Sequence, residues 1–293
     1  MVNIRKEKRG KKIYFYLEHS LRTKDKVKKK RLYLGEGLPQ NVEILKKKFL
    51  HDIYKEKWYP LLDSIKKDYV KDHKDMPKSI KEKELANFII KFTYDTQRIE
   101  GSTLTLRETA DLLEKGITPN EKPIGDVKEA EAHKKVFYEM LRYEKDLSLQ
   151  LVLSWNKKLL QETKPDIAGK VRKHQVAIGG SKFLPPSPVE MDVLLDEFFK
   201  WYCKNKDKFH PVELAALVHL KFVTIHPFGD GNGRISRLMM NFVLHKQKFP
   251  LFSVPYKGRS SYYTALERSQ VKGEEHIFVQ WFIKRYVKEK VKK

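Results

Sequence analysis

Within twelve residues of the 293-residue chain, His226-Pro227-Phe228-Gly229-Asp230-Gly231-Asn232-Gly233-Arg234 and then Ile235-Ser236-Arg237, stand the groups that phosphate chemistry needs. Gly231, Asn232 and Gly233 can adopt positive φ. Their successive N–H groups can then converge on an anion at the start of a following helix, where the macrodipole also favours negative charge. Arg234 and Arg237, three residues apart, share a helix face and can fork onto phosphate oxygens. Asp230 offers a hard carboxylate beside that cradle, the ligand type Mg²⁺ takes while keeping most of its waters. His226 is the group here able to take a proton near neutral pH. Phe228, apolar in a polar loop, reads as an anchor to the core. A glycine-rich turn beside a structural histidine would need none of the other groups, so their conjunction describes a site for phosphates.

Two elements must position this loop. Before it, the apolar stretch Leu214-Ala215-Ala216-Leu217-Val218-His219-Leu220-Lys221-Phe222-Val223-Thr224-Ile225, led by Pro211, predicts a buried helix. After it, Leu238-Met239-Met240-Asn241-Phe242-Val243-Leu244 predicts another. The polar turn therefore joins two core helices.

The run resembles the Fic signature, HPFx(D/E)GNGRxxR, and meets every fixed position. That resemblance implies an all-helical core and transfer of AMP from ATP to a protein hydroxyl. It makes His226 the general base, Asp230 the Mg²⁺ ligand and Arg237 the contact to the terminal phosphate. The loop from Gly229 through Gly231, Asn232 and Gly233, with Arg234, would bind the other phosphates. The related Doc proteins carry Lys at the second glycine of GNG and phosphorylate; this chain has Gly233.

Upstream, Ser79-Ile80-Lys81-Glu82 reads as a capping box, with Leu85, Phe88, Ile89, Phe92 and Ile99 following at helical spacing and Gly101 as the C-cap. Glu100 alone would be a solvated carboxylate. Together with the signature, Thr96, Glu100 and Gly101 resemble the (S/T)xxxE(G/N) inhibitory motif, in its intramolecular, N-terminal form. A carboxylate paired with Arg237 would occupy the guanidinium that should hold the γ-phosphate. Further helices are expected from Thr105 to Gly116, from about Val127 to Leu141, and from Ser148 to Leu159. Asn156 stands where the family commonly has His.

Between the helices, Gly169-Lys170-Val171-Arg172 and then Val176-Ala177-Ile178-Gly179-Gly180-Ser181-Lys182-Phe183-Leu184-Pro185-Pro186 read as a non-helical insert, a hairpin edge with open backbone groups. This resembles the Fic flap, which holds the target's extended segment by strand addition. Near the C-terminal end, Arg259-Ser260-Ser261-Tyr262-Tyr263-Thr264-Ala265-Leu266 resembles the helix lining the adenine side, with Tyr263 and Leu266 as contacts. Phe278-Val279-Gln280-Trp281-Phe282-Ile283 would cap the core, leaving residues 284–293 as a solvated basic tail. The resemblance covers about residues 80–285.

Composition sets the frame. With 40% apolar and 12% aromatic residues the chain can bury a sizeable core. The single cysteine, Cys203, excludes an internal disulfide framework and reads as a buried small hydrophobe. No apolar run spans a bilayer and Met1-Val2-Asn3-Ile4-Arg5-Lys6 has no apolar leader, so a cytoplasmic protein is expected, without membrane association. The net charge is +23, and residues 1–31 hold thirteen Lys and Arg against Glu7, Glu18 and Asp25. There, Lys12-Ile13-Tyr14-Phe15-Tyr16-Leu17 and Arg31-Leu32-Tyr33-Leu34 predict short strands around Thr23-Lys24-Asp25-Lys26, loosely similar to basic segments at the start of some transposases. From Val42 to Asp75 a charged helical pattern offers Ile44, Leu45, Phe49, Ile53, Trp58, Leu61, Leu62 and Ile65 as an inner face.

The expected organisation is a basic β module over 1–38, a helical arm over 39–78 and a Fic domain over 79–293 whose inhibitory helix occupies about 79–101. The fold class is mainly α, a Fic-type bundle with a β-hairpin flap. The expected function is a self-inhibited protein adenylyltransferase using Mg-ATP on a target Ser, Thr or Tyr. Two rivals stand beside it: removal of AMP by a water that Glu100 orients, and a nucleic-acid-binding regulator acting through residues 1–36. A homodimer is a further expectation.

Overall fold

The computed structural model describes residues 2–22 and 27–291, without the side chain of Arg22. The connection at Thr23–Lys26, Met1 and the last two lysines lie outside the described residues. The protein is mainly helical with a small antiparallel sheet at its N-terminus, and divides into compact units over 1–64 and 65–293. Their boundary falls inside a helix rather than at its end.

The first unit is a meander of β1 (Asn3–Arg9), β2 (Lys12–Arg22) and β3 (Val27–Gly35), followed by the part of α1 (Val42–Asp75) up to Ser64. Leu17 packs with Phe49, Leu50, Ile53 and Tyr54 of α1, flanked by Ile4, Leu21, Leu34 and Trp58. The charged sequence of β1 gave no strand signal; pairing with β2 over seven residues makes it one. Ile44 lies outside the inner face, exposed to solvent.

The second unit is a helical bundle. It comprises α2 (Lys78–Ile99), α3 (Leu106–Lys115), α4 (Ile124–Arg142), α5 (Leu149–Leu160), α6 (Met191–Asn205), α7 (Pro211–Ile225), α8 (Asn232–Lys246), α9 (Arg259–Lys272) and α10 (Glu275–Lys290). At its centre α7 is buried everywhere except Pro211, Lys221 and Thr224, and α8 from Arg234 to Leu244. Pro211 opens α7, with its preset φ, and His210 accepts the Val212 N–H at 3.2 Å. The capping box at Thr105 and Glu108 forms, and α3 ends on left-handed Gly116 as expected.

Several expectations need correction. Pro77 starts α2 earlier, so Ser79 and Glu82 fall inside its first turns and make no cap. In α6 the buried stripe is Met191, Leu195, Phe198 and Tyr202; one residue further round the helix, Cys203 is exposed. The flap contains no paired strands. Val171 makes one bridge to Phe228, and residues 172–187 are irregular, with a turn closed by Ser181 N–H to Ile178 C=O at 3.1 Å. Val176, Ala177, Ile178, Gly179 and Gly180 thus line a loop rather than a hairpin edge. Helix α10 continues to Lys290, so residues 284–290 are helical, and Tyr286 among them is fully buried while the basic residues stay at the surface.

Candidate active site

The loop between α7 and α8 is shaped by two left-handed residues, His226 at φ 53° and Gly231 at φ 85°. Gly233 lies in the first turn of α8 with helical backbone, so Gly231 alone of the expected nest residues has positive φ. A Cβ at Gly231 would approach Asn156 Nδ2 to 2.9 Å, which with the positive φ restricts the position to glycine. Phe228 is buried against Phe222, with ring centroids 5.9 Å apart, and is the core anchor. The Asn232 side chain turns back onto the loop, accepting the Phe228 N–H at 2.9 Å and donating to its carbonyl at 2.8 Å. Only the backbone of Asn232 is then left to face a ligand.

Two groups outside the signature complete the scaffold. Asn156 on α5 donates to the Asp230 carbonyl at 3.0 Å and accepts the Gly169 N–H at 2.8 Å. Buried Arg172 donates Nε to the His226 carbonyl at 2.8 Å, and its other nitrogens to His174 O at 3.0 Å and Pro186 O at 2.6 Å. One guanidinium therefore ties the irregular segment to the loop.

His226 ends α7, and its Nδ1 lies 3.2 Å from the Val223 carbonyl. A carbonyl can only accept, so Nδ1 carries the proton and Nε2 is left as the basic nitrogen. Burial lowers the His226 pKa below the ordinary imidazole value, with the Val223 bond and the Glu100 charge opposing it in part. The ring is a neutral base at neutral pH.

Asp230 receives the Gly231 N–H at 2.5 Å and Arg234 Nη2 at 2.8 Å on Oδ1, and the Lys164 ammonium on Oδ2. Burial would raise its pKa, but Arg234 and Lys164 hold it down to about 2, fully ionised. Arg234 also pairs with Glu129 of α4 and lies 3.4 Å from Gln97 Oε1. Lys164 lies 3.4 Å from Glu129 Oε1. Glu129 and Lys164 were not found from the sequence. Glu129, on the edge of the apolar stripe of α4 beside Val127 and Ala130, offered the one faint signal.

Arg237 is 1% exposed and its Nη2 meets Glu100 Oε1 at 2.5 Å. Its remaining contacts are Thr96 Oγ1, the Thr96 carbonyl and Tyr262 Oη, each at 3.3 Å. Glu100 sits over the first turn of α8: a Cβ on Gly233 would lie 2.2 Å from Glu100 Oε1. The carboxylate thus stands at a helix N-terminus, where the macrodipole draws an anion. Helix α2 is pinned to hold it there. Asp95 takes the Ser253 hydroxyl at 2.8 Å and the Tyr256 N–H at 2.9 Å, Gln97 donates to the Glu129 carbonyl at 2.9 Å, and the Tyr263 hydroxyl donates to Ile99 O at 2.8 Å. Gly101 follows with φ 102°. Leu266 is buried on α9 and Tyr263 is half exposed.

Residues 146–244 match the family model of the Fic/DOC family. Curated relatives include the "Protein adenylyltransferase Fic" proteins of Drosophila melanogaster and Drosophila ananassae, each 34% identical over 192 residues, 64% of this chain and 38% of the relative. The chain therefore spans well under half the length of these relatives. Among solved structures, a Fic domain containing signaling protein from Bacteroides thetaiotaomicron superposes with a TM-score of 0.72 at 26% identity, covering 78% of this chain and 94% of that one. A Fic protein from C. elegans gives 0.70 at 25% identity, covering 86% of this chain and 76% of that one. Signature loop and family model agree: residues 146–244 form a domain of the Fic/DOC family.

Proposed function

We propose that the protein is a self-inhibited adenylyltransferase, moving AMP from Mg-ATP to a Ser, Thr or Tyr hydroxyl of a target protein. The observation that carries this reading is Glu100 seated at 2.5 Å on Arg237 over the first turn of α8, an internal anion where a nucleotide phosphate would bind. His226 Nε2 takes the proton of the target hydroxyl as its oxygen attacks the α-phosphorus, and the bond from that phosphorus to the bridging oxygen breaks to release pyrophosphate. The N–H groups of the first turn of α8 and Arg234 take the phosphates at the reacting end, and Arg237 takes the terminal one once Glu100 leaves it. Tyr263 and Leu266 line the adenine side. Residues 176–180, without strand partners of their own, supply main-chain groups to an extended segment of the target.

Among the described residues no group of three acids or histidines could hold a metal ion. The donor set nevertheless fits Mg²⁺ bound through nucleotide, since one ionised carboxylate beside a phosphate cradle is what that ion takes from a protein. Asp230 would hold it, and a bound ion supplies charge neutralisation on the phosphates.

The test is incubation of Glu100→Gly protein with labelled ATP in lysate, with His226→Ala alongside. Label transfer by the first and none by the second is expected; no transfer by either overturns the reading. Loss of AMP removal in Glu100→Gly without any gain of transfer would favour the hydrolytic rival.

A second reading concerns the N-terminal sheet. Tyr14, Tyr16 and Tyr33 cluster on one face, with ring centroids 6.2 and 5.3 Å apart, beside Arg5, Arg9 and Arg31. Stacking rings among cations suit nucleic acid, although Glu7 and Glu18 pair with these arginines. Binding of the full chain to labelled oligonucleotides that weakens steeply with salt would support it; salt-independent or absent binding counts against it. No helix among the described residues is long and apolar enough to cross a membrane. A homodimer would be read by light scattering.

A further inference from the structure

Around the mouth of the phosphate site two acids and two bases alternate. Arg234 joins Glu129 to Asp230 from the inside, and Lys164 joins the same two carboxylates from the outside. The cations are not equivalent. The Arg234 side chain is 2% exposed and fixed on the first turn of α8, whereas that of Lys164, on the connection after α5, is 43% exposed and ends a flexible stem. Asp230 Oδ1 is already taken by Arg234 and by the Gly231 N–H. Oδ2 is the oxygen left for an incoming cation, and the ammonium of Lys164 is bonded to it.

We propose that Lys164 is a tethered counter-cation of Asp230 that stands in for a divalent ion before one arrives and must be displaced for it to bind. The proposal rests on the nucleotide-site reading above. Two cations compete for one carboxylate oxygen, so the lysine raises the concentration of metal the site requires. Without metal, the same positive charge screens Asp230 from nucleotide phosphates and assists their binding. Lys164 therefore acts in opposite directions on the two equilibria, which a purely structural residue does not.

The experiment uses the full chain and ADP, which lacks the terminal phosphate for which Glu100 and Arg237 would matter. ADP affinity is measured by calorimetry without metal and with saturating Mn²⁺, and Mn²⁺ half-saturation in the presence of ADP by electron paramagnetic resonance. In Lys164→Gln, metal-free ADP binding should weaken about fivefold and Mn²⁺ half-saturation should fall about fivefold, the scale of one partly exposed charge pair. Lys164→Arg should follow the wild type. Lys158→Gln, which removes an equal charge from the outer face of α5, where it pairs with Glu139, should change neither quantity. Shifts of both quantities in Lys164→Gln toward weaker binding, or no shift in either, overturn the proposal. A wild-type protein that binds ADP in neither condition overturns instead the nucleotide-site reading beneath it.

Discussion

Removing the Glu100 carboxylate should destabilise the free protein and activate it at the same time. In Glu100→Gly, Arg237 remains 1% exposed and keeps only neutral partners, the Thr96 hydroxyl and carbonyl and the Tyr262 hydroxyl. Breaking a fully buried ion pair costs about 3–5 kcal/mol; the Glu100 side chain is 28% exposed and three hydrogen bonds survive, so about 2 kcal/mol is expected here. For a bundle of this size that lowers Tm by about 4–8 °C. ATP offers the stranded guanidinium a phosphate, and at about a hundred times its Kd it returns about 2.7 kcal/mol; ADP, without the terminal phosphate, should return less. The same 2 kcal/mol, no longer opposing productive binding, corresponds to about 30-fold in transfer rate at limiting ATP. Scanning calorimetry with no ligand, ADP or ATP reads the first effect, and labelled-ATP transfer reads the second. Arg237→Ala should not activate, because it removes both the partner of Glu100 and the phosphate contact. Transfer by Glu100→Gly no faster than wild type, with Mg-ATP and a competent acceptor, would refute the brake.

Other variants probe separate groups. His226→Ala should abolish transfer while nucleotide binding persists; because burial depresses the imidazole pKa, the wild-type rate should stay flat through neutrality and fall only below about pH 6.5, and a midpoint above 7 would exclude His226 as the base. Asp230→Ala should lose the metal dependence of nucleotide binding, and equal transfer with EDTA and with Mg²⁺ would take the metal out of the mechanism. Ile178→Pro should impair target modification and spare nucleotide binding, since it removes a main-chain donor and fixes φ in the irregular segment without altering the α7–α8 loop; unchanged modification argues against strand addition. Asn156→Ala strands the Gly169 N–H and loosens the loop at Asp230, so a loss of about 2 kcal/mol in unfolding free energy is expected in denaturant titration.

What the sequence made legible was local. Signature residues adjoin one another, Pro211 and Thr105 announce helix starts, and Thr96 and Glu100 are one helical turn apart, so short-range spacing showed these groups together while the resemblance supplied the roles of Thr96 and Glu100. What it concealed is held by separation. Glu129 reaches Arg234 across 105 positions, and Lys164 reaches Asp230 across 66. No periodicity encodes such a meeting. The segment 176–186 looked like a hairpin edge because the β-rich run Val176-Ala177-Ile178 is followed by two glycines and a double proline, yet a strand needs a partner and none lies alongside among the described residues. Cys203 misled because its neighbours are apolar, and a helix turns consecutive residues by about 100°.

Gly233 also leaves room that Glu100 occupies. Any side chain there would put its first carbon within 2.2 Å of Glu100 Oε1, so the Glu100 carboxylate would have to shift from its present place over α8. A side chain at 233 and Glu100 in its present place therefore compete for one volume.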